Sequence, residues 1–389
     1  MTVYLIPSII PIILPDTYKK WSGKMKFVWF TVLFLSQFKC FAADLHIAFI
    51  VPDKKEHTFW QLVVDVAQSI AADQNIKLDV SYSDTNRFAS LRAVKAVLEK
   101  PDKPDYIIYR PMQGTAIEVL QLLESSKIPF VTLEQGFSED ELLTIGQPQE
   151  KYKYWLGSIQ YDDEEGGAQL TQALYKQHQK VNPGKPMYVT GIAGGFEQVS
   201  LARQASLHDI VKRSGPIVVN QIFPMSWSVD NIKQNFPAIY SRYPQTNAYW
   251  CIADSFALAV VEQLDIANST DKNILVGGFD WLPEALDKIQ SGQITASIGG
   301  HFLMVGKAIL NIIEHHDGNN VFLHANVAEK YELIDQDNIK VYQPFIKKAP
   351  WPELDFRQFS SRYNSQKKPI DLTIANLITA YSQLEQDSK

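Results

Sequence analysis

The chain has 389 residues, which predicts two domains and leaves room for a third, with 46% apolar and 21% charged residues. That balance belongs to a folded globular protein and excludes a disordered or collagen-like chain. A net charge of −6 argues against a nucleic-acid binder, which carries a basic face.

The apolar stretch from Val3 to Leu14 is interrupted by Pro7 and Pro11 and followed by Pro15. A proline inside a helix costs about 3 kcal/mol, so this is a poor spanning helix. Downstream, Met25-Lys26 opens a basic region, Phe27 to Leu35 is apolar, and Cys40-Phe41-Ala42 places small residues where a signal peptidase reads. This succession predicts a secretory signal peptide starting at Met25 and cleaved near Ala42, with residues 1–42 removed and the protein exported to the periplasm. The apolar run falls short of the roughly 20 residues that span a bilayer. A signal-anchor retained in the membrane is the alternative. Lys39 before Cys40 argues against lipoprotein processing. The first 42 residues hold five lysines and one acid, so their loss takes the chain from −6 to −10. Cys251 is then the one cysteine left, which rules out a disulfide framework or a cysteine metal site.

From Leu45 the chain alternates apolar runs with helical patterns. Leu45 to Val51 reads as a buried strand. Thr58 and Gln61 stand at capping-box spacing before Phe59, Val63, Val66 and Ile70. A strand at Ile76 to Val80, a helix through Leu91, Val94 and Leu98, and a strand at Tyr106 to Tyr109 follow. Thr115 with Glu118 caps a third helix, and Ile128 to Leu133 is a fourth strand. This rhythm predicts βαβ units on a parallel sheet.

The rhythm restarts with a short strand at Leu156 to Ile159 and four acids, Asp162 to Glu165, opening a helix. Acids there suit the positive helix N-terminus better than a metal ion. Further strands are predicted at Met187 to Ile192, Ile217 to Phe223, Ala248 to Ile252, Ile274 to Phe279 and Ile294 to Ile298, with a long helix from Leu303 to His315. After Val341 the pattern fades into a proline-rich tail, with a last helix at Ile370 to Leu384. No Gly/Ser linker separates the halves, which predicts several chain crossings between them. The expected division is 43–158 with 301–325 in the first lobe, 159–300 with 326–345 in the second, and 346–389 as an extension.

Several local motifs stand in one order. They are Glu56-His57-Thr58-Phe59-Trp60 after the first strand, Ile128 to Glu134, Asp162 to Ala168, and Gly191-Ile192-Ala193-Gly194 leading to Arg203. Ala253-Asp254-Ser255-Phe256-Ala257 and Val276-Gly277-Gly278-Phe279-Asp280 complete the set. Together they resemble the type I periplasmic binding proteins, the ribose and galactose group especially, over Leu45 to Ile334. The resemblance implies an α/β fold of two Rossmann-like lobes, each a parallel sheet flanked by helices, joined by a multi-strand hinge with the ligand cleft between them. It also implies a ligand-binding role for Arg203. Two positions depart from the family: Ala253 stands where a sugar-binding asparagine is common, and Gly300 where a glutamine often follows the Ala296-Ser297-Ile298 strand.

Ligands of open α/β sheets bind beyond the carboxyl ends of the strands. The candidates there are His57, Phe59 and Trp60, then Arg110, then Glu134 and Gln135, and from the second half Arg203, Trp227, Asp254, Phe279 and Asp280. Aromatic faces pack on the C–H faces of a sugar, and charged groups bond its hydroxyls more strongly than neutral ones. Trp60 and Trp227 are expected to sandwich the ligand, with Arg203 and Asp280 supplying the main polar contacts from the second half. Other readings stand beside these. Phe59 and Phe279 suit a core equally well, Asp254 could cap a helix, Arg203 could lie on a helix surface, and Arg110 could pair with Glu134 across neighbouring strand ends. A lone loop His57 is ordinarily just solvated.

No Gly-x-Ser-x-Gly elbow, Walker loop or dinucleotide fingerprint is present, so no catalytic residue, cofactor or metal is expected. His315-His316-Asp317 suits a helix C-terminus rather than a metal. The expected function is a periplasmic solute-binding protein that closes on a small polar, sugar-like ligand and delivers it to an inner-membrane ABC permease. A receptor reporting to a membrane sensor kinase is the alternative, and a secreted hydrolase the remaining one.

Overall fold

Residues 45–387 are described by the computed structural model, apart from 85, 135–136, 214–215, 268–273, 320, 325–327 and 364–369. The expected signal peptide and its cleavage site lie outside the described residues. No described helix is long and apolar enough to cross a membrane.

The first half lays down β1 (Leu45–Val51), α1 (Thr58–Asp73), β2 (Ile76–Tyr82), α2 (Arg87–Glu99), β3 (Tyr106–Tyr109), α3 (Ala116–Ser126), β4 (Phe130–Leu133), α4 (Glu139–Ile145) and β5 (Trp155–Ile159). The second half lays down α5 (Asp163–Val181), β6 (Met187–Ala193), α6 (Gln198–Arg213), β7 (Ile217–Pro224), α7 (Val229–Arg242), β8 (Ala248–Cys251), α8 (Asp254–Ile266), β9 (Leu275–Phe279), α9 (Pro283–Gln290) and β10 (Ala296–Gly299). Then come α10 (Met304–His316), β11 (Glu332–Asp335), α11 (Ile339–Lys348) and α12 (Ile374–Asp387).

The strand orders are β2-β1-β3-β4-β5 and β7-β6-β8-β9-β10-β11. With β11 set aside, the second order repeats the first, each strand number raised by five. In both sheets the order reverses beside the first-laid strand, leaving a crevice at the carboxyl ends where ligands of such sheets sit. The central strands β1, β3, β4, β8 and β9 are buried along their whole length, as apolar strands covered by helices on both faces must be.

The second sheet departs from the expected all-parallel arrangement at one edge. β11 runs antiparallel to β10, with Ala296 opposite Asp335 and Gly299 opposite Glu332. It reaches the sheet from the other lobe rather than through a βαβ crossover, so nothing forces it to run parallel.

The lobes are joined by repeated crossings. The chain leaves β5 through Tyr161, returns after β10 through His301, and goes out again through Glu329 and Tyr331. The first and third crossings pair as a parallel bridge, with the Asp162 amide donating to the Glu329 carbonyl at 2.9 Å and the Glu329 amide to the Gln160 carbonyl at 2.8 Å. α10 packs on α1 and so belongs to the first lobe, whereas α11 packs on α9 of the second. A further passage follows α11. The short helical turns Trp351–Glu353 and Phe356–Phe359 dock on α1, where the Gln74 amide donates to the Phe356 carbonyl at 3.0 Å and Asp73 accepts from the Phe356 amide at 2.7 Å. Trp351 is buried between Phe302 and Phe345. The tail is therefore a packed cover over the first lobe.

Two expected capping boxes are not formed. His57 rather than Thr58 is the N-cap of α1, and Gln61 turns to Asp65 at 2.6 Å. Thr115 caps α3 in position but bonds the Met112 carbonyl, while Glu118 reaches Lys95. The box that does form, Ser138 with Glu141 on α4, has the same spacing but opens a helix too short for the periodicity to reveal.

Candidate functional site

A cleft of ≈ 710 Å³ opens where the carboxyl ends of both sheets meet. His57, Phe59, Trp60, Arg110, Glu134, Arg203, Trp227 and Asp280 all line it, drawn from the loops and following helices after β1, β3, β4, β6, β7 and β9. Gln135 lies outside the described residues. Asp254 and Phe279 do not line the cleft. Asp254 is fully buried, accepting from the Ser297 hydroxyl at 2.8 Å and the Leu282 amide at 2.9 Å, so it ties β10 to the loop after β9. It is not the helix cap either, since that position falls to Ala253. Phe279 is wholly buried, its ring 4.6 Å from the Arg203 guanidinium carbon, which makes it a floor for that arginine.

Each lobe presents an arginine matched to an acid. In the first, Arg110 at the end of β3 donates its Nε–H to Glu134 at the end of the adjacent β4. Burial is the largest single influence and pushes the Glu134 carboxyl up, but the charges of Arg110 and Arg203 and the Arg110 hydrogen bond together hold it below the usual carboxylate range. In the second, Arg203 on α6 donates to Asp163 at 2.8 Å, the Ile252 carbonyl at 3.3 Å and the Tyr331 hydroxyl at 2.8 Å. Tyr331 in turn donates to Asp163 at 2.7 Å. Asp163 is thus more than one of four acids at a helix start: Asp162 is the cap, accepting from the Glu165 amide, and Asp163 turns inward.

The backbone around the cleft is strained. Glu134, Ser226, Trp227, Asp280 and Trp281 all have positive φ without being glycine, and Asp280 reaches 113°. Such conformations cost about 1–3 kcal/mol each and persist where surrounding structure enforces them, commonly at binding sites. Trp227 is enforced from two sides. Its indole Nε1–H donates to Glu197 at 2.5 Å, and its ring lies against Gly194, where a Cβ would overlap it. The Gly194-Gly195 turn therefore makes room for an aromatic side chain that remains 42% exposed in the cleft.

Sequence reasoning missed several lining residues: Asp53, Arg87, Phe196, Glu197, Phe256 and His301. Phe196 and Glu197 directly follow the Gly194-Gly195 turn, a position after a strand that could have been read. His301 follows β10 in the same way. It stands one residue beyond the family's glutamine position, occupied here by Gly300, whose φ of 93° turns the chain. Burial pushes the Asp53 carboxyl above the usual range against the pull of His57, 3.7 Å away.

The chain matches the periplasmic binding protein domain over residues 47–319. It is 26% identical over 154 residues to the D-allose-binding periplasmic protein of Escherichia coli (strain K12), a match covering 39% of this chain and 48% of that relative's length. Its fold is similar to that of a periplasmic sugar-binding protein from Pseudomonas fluorescens, with a TM-score of 0.73 and 19% identity over 83% of this chain and 96% of that one. It is also similar to an ABC transporter periplasmic solute-binding protein from Actinobacillus succinogenes 130z solved with bound D-allose, with a TM-score of 0.68 and 17% identity over 77% of this chain and 100% of that one. With two lobes of repeated strand order, a cleft at their carboxyl edges and a domain match across the greater part of its length, the chain belongs to the periplasmic binding protein family.

Proposed function

We propose that this protein is an exported solute-binding protein that captures a small neutral polyhydroxylated ligand, a monosaccharide or close analogue, and delivers it to an ABC importer. The carrying observation is the composition of the cleft. Trp60 and Trp227 offer aromatic faces, while Arg110 and Arg203 are each already matched to an acid. Paired charges leave no large excess of either sign, so the cleft favours a ligand with many hydroxyls over a strongly charged one. Charge-assisted bonds from those groups are the stronger kind. One relative named for D-allose binding and one similar structure solved with bound D-allose make aldoses the first candidates. The crossings through Tyr161, His301 and Tyr331 serve as the hinge about which the lobes close.

Calorimetry of the purified protein with D-allose, D-ribose, D-galactose and L-arabinose tests the reading, beside native mass spectrometry of material taken from the periplasm. Saturable binding of one sugar, compaction in small-angle scattering and recovery of unaltered sugar are expected. Silence across the panel, or a hydrolysed product, would sink it. N-terminal sequencing of the exported protein is expected to begin near Ala43, and a mature chain that keeps Phe27 to Leu35 would overturn the export step.

A further inference from the structure

His301 occupies an unusual place. It is 2% exposed, lines the cleft, and sits on the second crossing between the lobes. Its ring stacks on Phe59 of the first lobe, with centroids 4.6 Å apart and planes 26° from parallel. Tyr161 and Tyr331, from the other two crossings, meet it edge-on at 5.9 Å and 5.1 Å. Its Nε2 lies 3.3 Å from Oδ1 of Asp280, a cleft residue of the second lobe. Its Nδ1 is buried and has no hydrogen-bond partner among the described residues.

These facts fix the chemistry of the ring. A neutral imidazole carries its proton on one nitrogen and an accepting lone pair on the other. The Asp280 carboxyl oxygen beside Nε2 favours the tautomer with the proton on Nε2, which leaves Nδ1 as the acceptor. A buried acceptor without a donor costs free energy until something supplies one. Phe59, Tyr161 and Tyr331 meet the ring with their aromatic faces and Asp280 takes its Nε2 side, so no described neighbour supplies a donor to Nδ1, and the cleft is where one can come from.

We propose that His301 is a ligand-reading residue whose Nδ1 accepts a hydrogen bond from one hydroxyl of the bound ligand, with Asp280 and Phe59 holding the ring. The inference rests on the ligand-binding reading above and adds a specificity rule to it. The ligand must carry a donor at that position, and a deoxy or carbonyl analogue there is rejected. Because the ring touches elements of both lobes, the same bond stabilises the closed arrangement.

The test has a ligand-free arm and a ligand arm. Long-range proton–nitrogen correlation of the histidine-labelled full chain at pH 7.5, with the His301 signals assigned by their loss in His301→Asn, is expected to show the proton on Nε2. A proton on Nδ1, or on both nitrogens, overturns the proposal. In the ligand arm, the tightest binder among D-allose, D-ribose, D-galactose and L-arabinose is compared with its monodeoxy forms. One deoxy form is expected to bind the parent protein about 10-fold more weakly or worse. His301→Phe, which keeps the stack on Phe59, is expected to bind the sugar and that deoxy form alike. His301→Asn, whose amide oxygen stands near the Nδ1 position, is expected to regain part of the discrimination. If the parent binds but His301→Phe discriminates as the parent does, this inference fails alone. If the parent binds none of the sugars, the functional reading fails and takes the ligand role of His301 with it.

Discussion

Arg110 and Arg203 enter one cleft from opposite lobes, and each is matched to an acid, yet they are built differently. Arg110 and Glu134 stand at the ends of adjacent strands, and their side chains keep 14% and 12% of their exposure. Arg203 and Asp163 keep only 4% and 3%. The Arg203 guanidinium also spans α5, the end of β8 and the third crossing, through Asp163, the Ile252 carbonyl and Tyr331, with Phe279 beneath it. The first pair is a local device at the carboxyl ends of two neighbouring central strands. The second is a joint between a helix pair, a strand end and the hinge. A cleft arginine can therefore serve mainly the ligand or mainly the lobe that holds it, and burial with partner count separates the two.

The largest effect should come from breaking the joint. Arg203→Met leaves Asp163 buried without its counter-charge, a loss of the kind that costs about 3–5 kcal/mol. Urea unfolding of the ligand-free protein should show it, and adding Asp163→Asn should restore part of the midpoint. This differs from treating Arg203 as a cleft group whose removal touches binding alone. A ligand-free midpoint equal to the parent's would mean that the network around Arg203 contributes nothing to the fold.

Arg110→Met should divide its cost the other way. The pair is more open, so the stability loss should be nearer 1–3 kcal/mol. The tightest-bound sugar of the panel should meanwhile lose about 10- to 100-fold in affinity. The comparison fails if calorimetry and urea unfolding rank the two arginines in the same order.

Acidity sharpens the contrast between carboxylates at the cleft and those beneath it. Glu134 is held below its usual range, so its folded-state stabilisation is complete above the ordinary carboxylate pKa. It is lost as pH falls through the lower folded value. Asp254 has the opposite sign: burial and the charge of Asp280 push it well up. Its share of stability is complete below the ordinary value and is lost as pH rises towards the raised one. Glu134→Gln should flatten the acid side of a stability–pH curve, and Asp254→Asn the side above about pH 4. Asparagine can still accept from the Leu282 amide and donate to Ser297, so the second variant should fold. Curves parallel to the parent's for both variants would remove this distinction.

The sequence carried the fold far because its signals are local. Apolar runs such as Tyr106 to Tyr109 and helical spacing such as Val63, Val66 and Ile70 need no knowledge of distant chain. The same holds for the Arg110–Glu134 pair, since consecutive βαβ strands end side by side. What stayed hidden depends on contacts far apart in the chain. Asp163 meets Arg203 across 40 positions and Tyr331 across 168. β11, short and half-exposed, gains its place only by pairing with β10. Asp254 and Phe279 lie at strand ends and so look like ligand contacts, but their side chains turn under the cleft floor to support Ser297 and Arg203. Position along a strand was legible, whereas side-chain direction at its end was not.

The smallest expected effect on stability is the most specific for the cleft. Gly194→Ala adds one methyl group, placed where the Trp227 indole lies. The indole cannot simply slide, because its Nε1–H is held by Glu197 and its backbone already sits at a φ of 53°. The ring should therefore tilt into the cleft or give up the Glu197 bond. Since Trp227 is 42% exposed, little core packing is lost, and the ligand-free stability should stay within about 1 kcal/mol of the parent. Stacking on the sugar should suffer instead, with affinity down by about 10-fold, within the range a misplaced aromatic contact spans. Trp227→Phe in the same background tests the assignment, since a smaller ring leaves space for the alanine and should recover affinity relative to Gly194→Ala. Unchanged affinity in Gly194→Ala would show that Trp227 does not face the ligand, and a collapse of ligand-free stability would show that the Gly194-Gly195 turn serves the second lobe rather than the cleft.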